Sequence, residues 1–399
     1  MNPLARHYAR FRVAERLLLT GHSHQAWPDV AREGQLEAFD DAAREVDEKW
    51  GRALAKAERV REGFRALLAD PGGEVALGGS THELVLRFLS ALDLRRRRRL
   101  VTTDGEFHTL RRQLARLGED WLEVEVLPAR PVDTLAERLA ARAGDGTAAV
   151  LVSAVLYEDA RIVPGLGALA GACARAGVEL LVDAYHALGA LPFPLPATGL
   201  GSAWIVGGGY KYLQLGEGNC FLRLPPHARA LRPAVTGWYA EFDALADAAR
   251  PGLVPYGRGA AAFAGSTYDP TSHYRAARVM DFFGEQGLTP EALRASYRRQ
   301  LDLLAARFDA LGLDEAVVTR DRGTSLDRLG GFLALDSPHA AALQRALAAR
   351  GVLADSRGRH LRLGPAPYLD DAQLEAAVER LGEAARELSG RGARGGGAG

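Results

Sequence analysis

Through most of the first 270 residues, short apolar runs alternate with longer stretches whose apolar positions recur every three or four residues. The runs at 74–77, 100–103, 123–127, 148–157, 178–183, 203–206 and 220–224 read as strands. The stretches starting near Ser80 and spanning 108–117, 132–143 and 166–176 read as helices. Strands that are apolar throughout, rather than at every second position, must be covered on both faces. Separated by helices, they predict a mostly parallel seven-stranded sheet. After Pro270 the pattern changes. Helices dominate 272–311, a strand-helix-strand unit follows at 331–335, 339–349 and 361–363, and a last helix covers 370–388. The expected architecture is α/β, with a large domain over 46–270 and a smaller α+β domain from 1–45 and 271–389. A tail of mostly Gly, Arg and Ala at 390–399 is expected to be disordered.

Composition narrows the functional classes. The 399 residues suffice for two domains, and 47% are hydrophobic. The formal net charge is zero, which gives no electrostatic reason to expect nucleic acid or a membrane surface as partner. The arginine run 95–99 reads as a solvated cluster ending a helix. The two cysteines, Cys173 and Cys220, form neither a CxxC pair nor a zinc pattern, so neither a disulfide framework nor a metal site is expected, and a reducing cytoplasm is. The first residues lack a signal-peptide core, and no apolar window is long enough to span a membrane.

In parallel sheets ligands bind beyond the carboxyl ends of the strands, and both Asp183 and Lys211 fall there. A lone strand-end aspartate is more often a helix cap, and a lone lysine more often a surface charge. Lys211, however, lies among Gly207, Gly208, Gly209, Tyr210, Tyr212 and Leu213, and the other lysines, Lys49 and Lys56, sit in an amphipathic helical stretch. A lysine kept in an apolar glycine-rich turn suits amine chemistry, because burial lowers its pKa and frees its lone pair. A carboxylate such as Asp183 can hold a protonated pyridine nitrogen, and His186 is close enough in sequence to touch the same ligand. The glycine triplet lacks the spacing of a dinucleotide loop.

The pattern Asp183-x-x-His186, followed by Gly209-Tyr210-Lys211-Tyr212-Leu213, resembles the class V, fold-type I enzymes that use pyridoxal 5′-phosphate (PLP), and among them most resembles the kynureninases. The resemblance implies that Asp183 pairs with the pyridine nitrogen and Lys211 forms a Schiff base with the cofactor. It further implies that Tyr210 contacts the phosphate and relays a proton. Gly78 to Glu83 offers Ser80 or Thr81 as a helix cap, a natural place for the cofactor phosphate. Phe107 falls where the family stacks a ring on the pyridine. Gly237-Trp238 and Gly265-Ser266-Thr267 resemble segments that reach the phosphate of a neighbouring subunit, which implies a homodimer with shared sites. Arg362, between Leu361 and Leu363, matches the arginine that binds the substrate carboxylate, and its planar fork suits that task. Arg357 is a weaker candidate. The segment from Gly21 to Pro28 matches a substrate-side loop at Gly21, Ser23 and Pro28 and departs from it at His22 and His24. Two further departures are the absence of Thr-Gly at 157–161 and Leu110 in place of an aspartate.

The resemblance implies a small amino-acid substrate, with L-kynurenine or a close relative hydrolysed to an aromatic acid and L-alanine. Transamination and β-elimination remain alternatives within class V. Desulfuration is disfavoured, since Cys173 falls in a helix and Cys220 starts a strand. A PLP-binding protein without catalysis is a third possibility, against which the presence of both Lys211 and Arg362 speaks.

Overall fold

The computed structural model describes residues 2–245 and 251–395. The seven expected strands are present as β1 (Glu74–Gly78), β2 (Arg99–Thr103), β3 (Glu123–Leu127), β4 (Thr147–Ser153), β5 (Glu179–Asp183), β6 (Trp204–Gly208) and β7 (Cys220–Leu224). They form one sheet in the order β1-β7-β6-β5-β4-β2-β3, and only β7 runs against its neighbours. Chain order reverses between β2 and β4, which is where open α/β sheets bind their ligands.

The unbroken apolar character of the strands follows from the two faces. Val150, Val152, Val182 and Ile205 join a core with Ala31 of α1 (Val30–Glu45), Phe64 of α2 (Trp50–Leu67) and Leu169 of the helix 166–176. Their sequence neighbours Leu151, Leu181, Trp204 and Val206 point the other way, into a second core with Phe88 of α3 (Thr81–Ser90) and Leu114 of α4 (His108–Asp120). A third core gathers Tyr8 and Leu19 from the N-terminal segment with Phe282, Leu301, Phe332, Leu361 and Leu381. It carries a small antiparallel sheet in which β8 (Leu333–Asp336) and β9 (Asp355–Arg357) flank β10 (His360–Leu363).

Four expectations need correction. The run 148–157 stays a strand only to Ser153. Beyond it the chain folds back, Val155 bridging Ile162 and Ala160 adopting a positive φ of 62°. The helix expected over 132–143 is a short 3-10 turn at Val132–Thr134 followed by a helix over Leu135–Ala140. The arginines 95–99 do not end a helix, because α3 stops at Ser90 and Arg99 already belongs to β2. Arg97 reaches the Gly177 carbonyl, Arg98 the Trp121 carbonyl and Arg99 the Thr147 hydroxyl, so these side chains satisfy groups at the sheet's amino-terminal edge. The last helix, Asp371–Gly395, runs into the segment expected to be disordered, carried there from the long helix before it although Gly390, Gly392 and Gly395 disfavour helix. Residues 396–399 of that expectation lie outside the described residues. Among the described residues no helix is long and apolar enough to cross a membrane, and no cluster has the makings of a metal site.

Candidate functional site

A cavity of 280 Å³ opens at the carboxyl ends of β4, β5 and β6. This is near the lower bound of about 300 Å³ for small-molecule sites. Asp183, His186, Tyr210, Lys211, Phe107, Ser80 and Thr81 all line it, so the structure brings seven candidate residues singled out in the sequence to one place.

Lys211 follows β6 in a turn whose glycines are sterically required. A Cβ on Gly208 would meet the Tyr185 hydroxyl at 2.4 Å, and one on Gly209 would meet Leu215 at 2.5 Å. Lys211 is only 6% exposed, and among the described residues no carboxylate touches its amine. The amine hydrogen-bonds with His186 Nε2 at 2.7 Å, and the rings of Tyr185, Phe107 and Tyr210 surround it at 4.6, 5.4 and 5.8 Å. Burial therefore pulls its pKa from 10.5 down to about 7, against the weaker opposing pull of Asp183. His186 is pushed well below its usual value by the same burial and by the lysine beside it, and among the described residues its Nδ1 has no partner.

Asp183 ends β5. It caps no helix, and its Oδ1 accepts the amide of Tyr185. Burial raises its pKa, while that hydrogen bond and Lys211 act in the opposite direction. Tyr210, pushed up to about 12 by burial, carries its proton at neutral pH and lies flat against His24, with ring centres 4.8 Å apart. Ser80 is the N-cap of α3, its hydroxyl accepting from the Glu83 amide, and Thr81 opens the helix beside it. Both line the cavity.

Arg362 lies outside that cavity but within electrostatic reach of Lys211. It is buried, and β9 places Asp355 directly opposite it. Nε and Nη2 donate to the two Asp355 oxygens at 2.7–2.9 Å, and Nη1 donates to the Tyr157 carbonyl at 2.5 Å. These contacts leave part of the five-donor fork free. His22 is wholly buried beside this pair, 3.9 Å from Asp355, and among the described residues neither ring nitrogen has a hydrogen-bond partner. Burial holds it down at about 4. Ser23 does not line the cavity, and its hydroxyl is paired with His24 Nδ1. Arg357 is more exposed than Arg362 and sits 3.5 Å from Asp355.

Trp238, Ser266 and Thr267 are not brought to Lys211. They line a separate groove of 1630 Å³, in which the Trp238 indole donates to the Thr267 hydroxyl. The groove meets the cavity at Gly79 and Gly218, which border both. Sequence reasoning missed Tyr185, Ser153, Glu106 and Asp355. The first three flank residues that it did select, either in sequence or across the sheet, while only pairing between β9 and β10 reveals Asp355.

No family model matches the chain. Curated relatives include the kynureninase of Deinococcus radiodurans, 27% identical over 98% of this chain and 95% of that protein. The kynureninase of Burkholderia pseudomallei is 26% identical over 85% of this chain and 84% of its own length. An uncharacterized aminotransferase of Bacillus subtilis, YcbU, is 27% identical over 63% of this chain and 72% of its own. Among solved structures, a mutant of C-DES with glycine covalently linked to the PLP cofactor superposes with a TM-score of 0.82 at 15% identity, covering 96% of this chain and 99% of that one. The cysteine desulfurase of Thermococcus onnurineus gives 0.80 at 14% identity, over 97% and 99%. By sequence the chain is kynureninase-like, and by structure it has the fold-type I architecture.

Proposed function

We propose that this chain is a PLP-dependent class V enzyme, and within that class a hydrolase of L-kynurenine or a related β-acyl amino acid. One observation carries the cofactor reading: a buried lysine without a carboxylate partner, its pKa near neutrality, shares a cavity with a strand-end aspartate. The residues present fit the group. Lys211 supplies an unprotonated amine for the cofactor aldehyde, Asp183 a carboxylate for the ring nitrogen, and Phe107 a flat apolar face. The start of α3 at Ser80 and Thr81 offers backbone donors for the phosphate. The unpartnered His186 Nδ1 leaves a buried polar atom for a ligand to satisfy.

When bound, PLP supplies an electron sink that accommodates negative charge developing at the substrate Cα. Lys211, poised near pH 7, takes the proton from that carbon and holds it. Asp183 keeps a proton on the ring nitrogen. Arg362 binds the substrate carboxylate through the one N–H, on Nη1, that Asp355 and Tyr157 leave free, which orients the bond to be broken. Tyr210, still carrying its proton, can donate it to a carbonyl oxygen under attack by water.

The kynureninase reading rests on the near full-length sequence likeness, supported by Arg362 and Tyr210. YcbU, an aminotransferase by name, and C-DES, a cystine C-S lyase, favour as the second reading another class V reaction such as transamination or β-elimination. Cysteine-based desulfuration has no nucleophile here: burial pushes both Cys173 and Cys220 up to about 12. We also propose a homodimer whose partner covers the Trp238–Thr267 groove. Trp238 and Phe242 are large apolar residues left exposed there, and the groove borders the cavity.

The test is direct. The purified protein is loaded with PLP and examined for the absorption band of a lysine-linked cofactor. Kynurenine or 3-hydroxykynurenine is then added and fluorescence of the anthranilate product followed. A band and a fluorescent product are expected. A band with turnover only when a keto acid is supplied would replace the hydrolase by an aminotransferase. No band would overturn the cofactor reading.

A further inference from the structure

Three strand ends meet beneath the cavity: Thr103 of β2, Ser153 of β4 and Asp183 of β5, with Ser153 paired opposite Asp183. A second carboxyl group, Glu106, is buried among them, 1% exposed. Its Oε1 accepts the Thr103 hydroxyl at 2.7 Å and the Ser153 amide at 3.2 Å, and its Oε2 accepts the Ser153 hydroxyl at 2.6 Å. The loop that carries it is fastened on its other side too. Asp104 accepts the Ala129 amide at 2.7 Å and donates its own amide to the Leu127 carbonyl. Between these fastenings a Cβ on Gly105 would meet that of Ala129 at 2.7 Å, so the loop is pressed against its neighbour. The residue after Glu106 is Phe107, whose ring lies 5.4 Å from the Lys211 amine.

A neutral side chain could fasten this loop, whereas burying a carboxyl group is costly. Desolvation and the neighbouring Asp183 push Glu106 up to about 7, although three donors favour its charged form. Few other ionisable groups face it. Asp183 stands on the adjacent strand, with Lys211 beyond it. On Glu106's own loop, Asp104 is turned to Ala129, and His108 is bonded to Arg111. The charge at Glu106 therefore bears mainly on Asp183.

We propose that Glu106 is a positioning residue of this site: it clamps the Phe107 loop onto β4, and its negative charge, set behind Ser153, reinforces Asp183 in keeping the cofactor ring nitrogen protonated. The inference rests on the PLP reading above. It adds a second carboxylate, one that touches neither substrate nor cofactor and acts through Ser153 and Asp183.

The test uses the PLP-loaded protein and Glu106→Gln, which keeps the shape and removes the charge. Two signals are read: the pH midpoint of the lysine-linked cofactor band, and the ¹⁵N shift of the pyridine nitrogen. The midpoint is expected to fall by about half to one pH unit, a threefold to tenfold loss of proton affinity, with the ¹⁵N shift moving toward the unprotonated ring. Glu106→Asp, which keeps the charge, is expected to restore both signals. Ser153→Ala removes one donor to Glu106 without touching the carboxyl group. It is expected to move the midpoint the same way by less, which keeps the test open should the glutamine variant not fold. A normal wild-type band whose midpoint and ¹⁵N shift are unmoved in the Gln or the Ala variant would overturn this inference alone. A wild-type protein without the band would overturn the cofactor reading, and this inference with it.

Discussion

Two cations are buried within electrostatic reach of each other, and the chain surrounds them in opposite ways. Arg362 is held by both oxygens of Asp355 and by the Tyr157 carbonyl. Lys211 has no carboxylate in contact, only the neutral His186 and three aromatic faces. A buried charge with a bidentate partner stays a charge, and arginine suits this because it does not give up its proton. A buried amine without such a partner is pulled toward neutrality and becomes a nucleophile and base. The difference separates a residue that can hold a substrate from one that can react with it.

Replacing each cation tests the contrast, and the largest effect is expected at the amine. Lys211→Met should abolish the lysine-linked cofactor band and lower turnover by roughly 10³-fold or more. It should also raise the melting temperature of the cofactor-free protein, because no carboxylate is stranded and the relief of a desolvated amine outweighs the hydrogen bond lost at His186 Nε2. The sign follows from linkage. The folded pKa of about 7 lies below the ordinary 10.5, so the unfolded chain binds the extra proton between those values and wild-type stability climbs with pH across that window. The advantage of the variant should therefore be greatest at and below pH 7 and shrink above it. A variant that melts lower than wild type would mean that the amine is paired after all.

Arg362→Ala should behave in the reverse manner. It takes the bidentate partner from the partly buried Asp355 and leaves Arg357 3.5 Å away as its nearest cation, and a loss of about 2 kcal/mol is expected in denaturant unfolding. Binding of amino-acid ligands should weaken on the order of 10²-fold, with a much smaller effect on amines lacking a carboxylate. Equal losses for both ligand types would remove the carboxylate-binding role and leave a purely structural ion pair.

How much of this contrast was legible beforehand depends on sequence distance. The sheet could be read because each strand is apolar on both faces, and Val150 beside Leu151 or Leu181 beside Val182 shows it directly. Lys211 stood out because its local string is anomalous, with glycines and tyrosines around a residue that the chain otherwise avoids. Arg362 stood out for its leucine flanks, yet its partner did not, since Asp355 is joined to it only through the pairing of β9 and β10. Glu106 was passed over beside Phe107 because a lone acid near a strand end looks like solvent-facing loop. Its burial comes from Thr103 and Ser153, which meet only when β2 and β4 pair. The groove at Trp238 was expected to serve a neighbouring subunit, and what a single chain displays there is a surface apart from Lys211.

The smallest expected effect concerns His22, which shares the Arg362 pocket but follows the rule seen at Lys211. Its ring packs on Phe332, both nitrogens lack partners, and burial holds its pKa at about 4, below the ordinary 6.5. The unfolded chain therefore takes up a proton first as pH falls. The stability associated with a neutral His22 is complete above about 6.5 and is lost progressively toward 4. His186 contributes in the same direction, and Glu106, raised to about 7, contributes in the opposite one. Wild-type slopes alone are thus ambiguous, and the difference between two proteins is the useful quantity. His22→Phe should lack this component, so its stability relative to wild type should improve between pH 6.5 and 4, by at most about 1.4 kcal/mol per pH unit. Parallel profiles for the two proteins across that window would show that His22 is charged in the folded state and paired with Asp355. It would then belong with Arg362 on the other side of the contrast.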